Sequence, residues 1–173
     1  MNLSVRPAAV AGAFYPDSAP ALENIVSLML MAVPRSVSSR PKAIIVPHAG
    51  YIYSGPIAAS IYAPLRKLRG TIERIVLLGP THRVAVNGLA LPSCKAFATP
   101  LGDIPVDQRA IAAIEDMPQI VFSDAAHAQE HSLEVQLPFL QMVLGEFSLL
   151  PLAVGEASPN VVAEVLELLW GGE

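Results

Sequence analysis

The run Glu73-Arg74-Ile75-Val76-Leu77-Leu78-Gly79-Pro80-Thr81-His82 sets the fold of this chain. Four apolar residues in a row, with charge before them and Gly-Pro after, read as a short buried strand. A strand with one wet face would alternate instead. A second run of this kind, Lys42 to Val46, stops at Pro47-His48-Ala49-Gly50. Each run therefore ends at a proline with a histidine just beyond it. Ligands in open α/β sheets sit past the carboxyl ends of the strands, so parallel neighbours would carry His48 and His82 on one rim.

Working outward, helical spacing of Leu22, Ile25, Val26 and Met29 predicts a helix over 19–33, stopped by Pro34. Pro56 to Leu68 reads as a helix with proline in its first turn and Pro64 as a kink. Val86 to Leu91, Ile120 to Phe122 and Phe147 to Val154 read as strands, and Val106 to Asp116 as a helix. Ser132 to Leu144 is expected to be helical with Pro138 in its early turns. Ser158-Pro159 opens a last helix through Trp170. Helices alternating with continuous apolar strands predict one α/β domain over 1–173. Its sheet is mostly parallel or mixed and covered by helices on both faces.

Composition narrows the function. Charged residues are 15% of the 173, against roughly 25% in an ordinary soluble domain. The net charge of −4 has no basic run behind it, which argues against nucleic acid or a polybasic membrane contact. No apolar stretch is long enough to span a bilayer, and the first residues lack a secretory h-region, so the expected location is the cytoplasm. The single cysteine, Cys94, excludes a disulfide framework and reads as a small buried apolar residue. The apolar surface implied by so little charge points to a partner or a homo-oligomer.

Chemistry concentrates in four histidines, His48, His82, His127 and His131. His131 lies just before a predicted helix, another rim position. Imidazole ligates iron, copper, zinc and nickel, and also moves protons near neutral pH. Glu130 and Glu134 are candidates to orient a ring nitrogen, or simply charges at a helix start. His127, in Asp124-Ala125-Ala126-His127, reads as a solvated loop residue. Tyr51 and Tyr53 read as packed aromatics with wet hydroxyls. No nucleophile elbow, phosphate loop or dinucleotide fingerprint is present.

Four motifs, in order along the chain, resemble the Memo family. They are Ala11-Gly12-Ala13-Phe14-Tyr15-Pro16, Pro47-His48-Ala49-Gly50-Tyr51-Ile52-Tyr53-Ser54-Gly55, Gly79-Pro80-Thr81-His82 and Glu130-His131-Ser132-Leu133-Glu134-Val135-Gln136-Leu137-Pro138-Phe139. Thr99-Pro100-Leu101-Gly102 fits as well. Prokaryotic members are called AmmeMemoRadiSam system protein B, and the family resembles class III extradiol dioxygenases in fold. The resemblance implies that His48 and His82 ligate iron(II) or copper and that His131 lines the same cleft as the acid/base. It also implies radical-SAM and AMME-type partners. Family members run longer, so the resemblance implies that a C-terminal part of the domain, carrying the third protein ligand, is missing here. Such an unfinished sheet would leave an open edge that invites self-association. Three functions compete: a metal-dependent, dioxygenase-like oxidoreductase; a peptide- or protein-binding module in which Arg83 pairs with a carboxylate; and a hydrolase using zinc-bound water.

Overall fold

The computed structural model describes residues 4–34 and 40–170. In chain order it contains β1 (Val5–Arg6), α1 (Ala19–Met31), α2 (Tyr51–Tyr62), a 3-10 segment (Ala63–Leu68), β2 (Arg74–Pro80), β3 (Leu89–Leu91), β4 (Ala96–Thr99) and β5 (Gly102–Pro105). Then follow α3 (Gln108–Ile114), β6 (Ile120–Phe122), α4 (Asp124–Ala128), a 3-10 turn (Glu134–Gln136), α5 (Leu137–Leu144), β7 (Ser148–Val154) and α6 (Pro159–Leu169). The architecture is α/β with a mixed sheet.

The main sheet runs β2-β7-β3-β6. The decisive run became β2, which pairs in parallel with β7 along its whole length, from Arg74 opposite Ser148 to Pro80 opposite Val154. The β3 strand is antiparallel to β7 and parallel to β6. Pro151 is tolerated inside β7 because β3 pairs only with Ala153 and Val154, so one side of the strand has no ladder there to break. A smaller sheet, β1-β4-β5, includes the hairpin whose turn is Thr99 to Gly102.

Several expectations need correction. Lys42 to Val46 is not a strand: the segment joins neither sheet among the described residues, and Ile45 is 94% exposed. Apolar composition alone does not make a strand; a backbone partner does. The edge of β2 away from β7 is likewise unpaired among the described residues, so Ile75 to Leu78 are only half-buried. Helix α2 begins at Tyr51, which places Pro56 in its interior, on the exposed side where solvent can serve the freed carbonyl. Beyond Tyr62 the helix tightens to 3-10 geometry at Pro64. Pro138 opens α5 rather than interrupting it, and the residues before it form only a 3-10 turn.

The core joins Leu22, Val26 and Leu30 of α1 with Ala59 and Tyr62 of α2 and Phe139 and Val143 of α5. Phe139 packs between the rings of Tyr51 and Tyr62, at 5.0 and 5.3 Å. The Tyr51 hydroxyl is not wet: the residue is buried and donates to the Val135 carbonyl at 2.8 Å. Cys94 is buried, as expected.

A polar clamp ties the chain start to the segment after α4. Glu134 is fully buried, and its carboxylate pairs with Arg6. It also accepts from the Ala9 and Val10 amides and from the Tyr15 hydroxyl. Arg6 itself donates to the His127 and Glu130 carbonyls, each at 2.8 Å.

His127 is the other correction. Helix α4, capped by Ser123, turns it inward, where it is 1% exposed. Its ring Nε2 lies 2.9 Å from the Ala90 carbonyl, so Nε2 carries the proton and Nδ1 is left without a partner. Burial lowers its pKa from 6.5 to about 4.

Two predictions follow from these buried groups. His127 binds its proton more weakly in the folded than in the unfolded chain. Its contribution to stability is complete above pH 6.5 and is lost as pH falls to about 4. The loss is of order 3 kcal/mol, at about 1.4 kcal/mol per pKa unit. Urea unfolding at stepped pH should therefore give a shallower acid slope for His127→Gln than for wild type. Glu134→Gln leaves Arg6 buried without its counter-charge and should cost about 3–5 kcal/mol in the same assay. A loss below 1 kcal/mol would contradict the clamp.

Candidate metal centre

Three segments meet at the carboxyl end of β2. His82 follows that strand directly. His48 sits in the irregular stretch leading into α2, and His131 lies between α4 and the 3-10 turn. The His82 and His131 rings stack at 4.5 Å, and His48 lies 5.3 Å from His82 and 5.8 Å from His131. One ligating atom of each lies within 4.8 Å of the other two. The three rings expected on one rim are thus together, while His127 is held apart against β3.

Glu130 organises the group. Its carboxylate accepts from the His82 amide at 2.7 Å and from the His131 and Ser132 amides at 2.9 Å each. It also lies 2.9 Å from Nδ1 of the His82 ring. Burial alone would raise its pKa, but these donors outweigh burial and hold it at about 2. An ionised carboxylate can only accept, so His82 carries its proton on Nδ1 and leaves the Nε2 lone pair free. Burial lowers the pKa of both other rings. His82 adds to this at His48, and Glu130 opposes it at both. Neutral rings with free lone pairs are what a metal ion requires.

Close packing fixes the segment that carries Glu130 and His131. A Cβ on Gly79 would lie 2.6 Å from the Ser132 hydroxyl oxygen, so only glycine lets β2 approach this loop. The Ser132 hydroxyl donates to the Pro80 carbonyl at 2.9 Å. Glu134, a candidate ring-orienting group, faces away into the Arg6 clamp. Glu130 alone of the pair touches a histidine ring.

The cleft holds one aromatic, Phe14, to which sequence reasoning assigned no role. Phe14 packs on the His131 ring at 4.8 Å, and its carbonyl accepts from the Tyr51 amide at the start of α2. Phe14, Pro47, Ala49, Gly50 and Tyr53 form an apolar wall beside His48 and His131. The position of Phe14 in the Ala11-Gly12-Ala13-Phe14-Tyr15-Pro16 motif is its one mark in the sequence. Tyr53, read from the sequence as a packed aromatic, is instead 79% exposed.

The family model described as Memo-like protein matches residues 6–170. A MEMO1 family protein of Ignicoccus hospitalis is 38% identical, covering 94% of this chain and 61% of its own length. One from Aquifex aeolicus is 40% identical over 88% of this chain and 55% of its own length. One from Sulfolobus acidocaldarius is 33% identical over 96% and 63%. The chain thus spans less than two thirds of the length of these relatives. With a family model matching nearly end to end and such relatives beside it, the chain belongs to the Memo family.

Proposed function

We propose that His48, His82 and His131 hold one redox metal ion, iron(II) or copper, in a non-haem, dioxygenase-like site. The observation that carries this reading is the convergence of three imidazoles with Glu130 behind one of them. Nitrogen donors about 2.0–2.1 Å from a metal in a tetrahedral or facial arrangement lie about 3.0–3.4 Å apart, so the widest-spaced rings need to close by up to about 1.5 Å. His131, expected as the acid/base, is read here as the third donor. The site then needs no ligand from outside the described chain. Bound iron or copper supplies one-electron chemistry and leaves coordination positions open beyond three protein donors.

The protein's own groups do the rest. Glu130 keeps a proton on His82 Nδ1, which aims Nε2 into the cleft. Phe14 shields one face of His131 from water. A reducing cytoplasm suits such a centre. No helix among the described residues is long and apolar enough to cross a membrane. The second reading is a non-catalytic module working with radical-SAM and AMME-type partners. It is favoured by Arg83, exposed beside His82 and free to hold a peptide carboxylate without metal chemistry.

Anaerobic iron(II) titration and elemental analysis test the first reading. One equivalent should bind, and His48→Ala, His82→Ala and His131→Ala should each abolish it. Binding that survives in His131→Ala alone returns that residue to the acid/base role. Zinc alone, in protein grown without added metal, favours the hydrolytic chemistry. Glu130→Gln should weaken binding about 10–100-fold while every ligand remains. Gly79→Ala, which displaces Ser132, should weaken it in the same direction. Alanine variants that lose metal yet still capture a partner support the module.

A further inference from the structure

We infer that Gln136 is the positioning residue for His48, the donor that stands farthest from the other two and has most to travel to reach a metal ion. The inference rests on the metal reading and deepens it. The three rings are not evenly spaced. His82 and His131 stack at 4.5 Å, whereas His48 stands 5.3 and 5.8 Å from them. Their supports differ as well. Glu130 holds the His82 ring, and Phe14 packs against that of His131. The His48 ring has only the other two imidazoles as ring partners, and no hydrogen bond reaches it among the described residues. Two rings are thus set directly, and the third is set only through its backbone.

That backbone belongs to no helix or strand, so no ladder fixes it. Side chains do this instead, on either side of His48. Gln136 is buried, and its Nε2 donates to the Pro47 carbonyl at 3.0 Å. The Ser54 hydroxyl donates to the Ala49 carbonyl at 3.1 Å. The two clasps are unequal. Ser54 lies in the first turn of α2, the helix that Ala49 leads into, and moves with it. Gln136 reaches across 89 positions of sequence and ties the His48 stretch to the 3-10 turn that follows His131.

Tyr62 fixes the amide. The Pro47 carbonyl can only accept, so the NH₂ end of Gln136 faces it. The other end, Oε1, accepts from the Tyr62 hydroxyl at 2.8 Å. The Tyr62 ring in turn stacks on Phe139 at 5.3 Å in the core. A relay therefore runs from the core through Tyr62, Gln136 and Pro47 to His48. An apolar side chain of equal length would fill the same space. It would leave the Pro47 carbonyl and the Tyr62 hydroxyl without partners and the His48 backbone without its long-range tie.

Two readouts on the full chain test this, one without metal and one with zinc(II), a redox-silent ion. In metal-free protein, nuclear Overhauser cross-peaks report which imidazole rings lie together. Wild type should show His48 with His82, and His82 with His131. Gln136→Met keeps length and bulk; it should lose the first cross-peak and keep the second. Tyr62→Phe frees the amide without removing it and should weaken the first cross-peak. Zinc affinity should fall about 10–100-fold in Gln136→Met and by less in Tyr62→Phe. A general loosening would dim both cross-peaks together. That result, or a His48–His82 cross-peak unchanged in both variants, overturns the inference. So does zinc binding as tight in Gln136→Met as in wild type. Failure of the metal reading shows separately. If zinc does not bind wild type but the cross-peak still depends on Gln136, the metal centre falls and the role of Gln136 stands. If zinc binds wild type and both variants alike, the centre stands and that role falls.

Discussion

A single buried carboxylate holds the functional end of this protein together. Glu134 has no exposed surface, yet it satisfies Arg6, two amides of the chain start and the Tyr15 hydroxyl. Arg6 in turn holds the carbonyls of His127 and Glu130. The leading segment is thereby pinned to the loop that carries His131. Phe14 lies on that pinned segment and reaches both the His131 ring and the first amide of α2. The positions of His131, Phe14 and the helix entry behind His48 therefore share one electrostatic anchor. Such an anchor is costly to bury and is stable only because every donor and acceptor around it is matched.

Glu130 and Glu134 divide the labour between them. They share one short stretch of sequence and point to different tasks. Glu130 fixes the tautomer of His82 and the backbone of His131. Glu134 fixes where that backbone sits. Spacing alone does not separate them, because residues four apart share a face only on a helix. The chain from Glu130 to Leu133 is not helical.

Much of this was legible in the sequence. Uninterrupted apolar runs gave β2 and β7, helical spacing gave α1, the Ser158-Pro159 start gave α6, and the stretch Val106 to Asp116 reads as the helix that contains α3. The strand-end contexts of His48 and His82, with the Glu130-His131-Ser132 motif, anticipated three rings on one rim. Family membership was also readable from those motifs. What escaped depends on partners distant in sequence. Lys42 to Val46 has strand composition but joins neither sheet among the described residues. His127 looks solvated until α4 folds it beneath β3. The β4–β5 hairpin has too weak an alternation in Ala96–Thr99 and Gly102–Pro105 to stand out. The Arg6–Glu134 pair joins residues 128 positions apart, which no local pattern reveals.

His127 carries a consequence of its own. Its ring proton is sealed from solvent and held by the Ala90 carbonyl, on the segment that Arg6 also grips. Such an imidazole N–H exchanges with deuterium only when that region opens. Its nuclear magnetic resonance signal is therefore a native gauge of breathing in the histidine loop, requiring no label, dye or engineered probe.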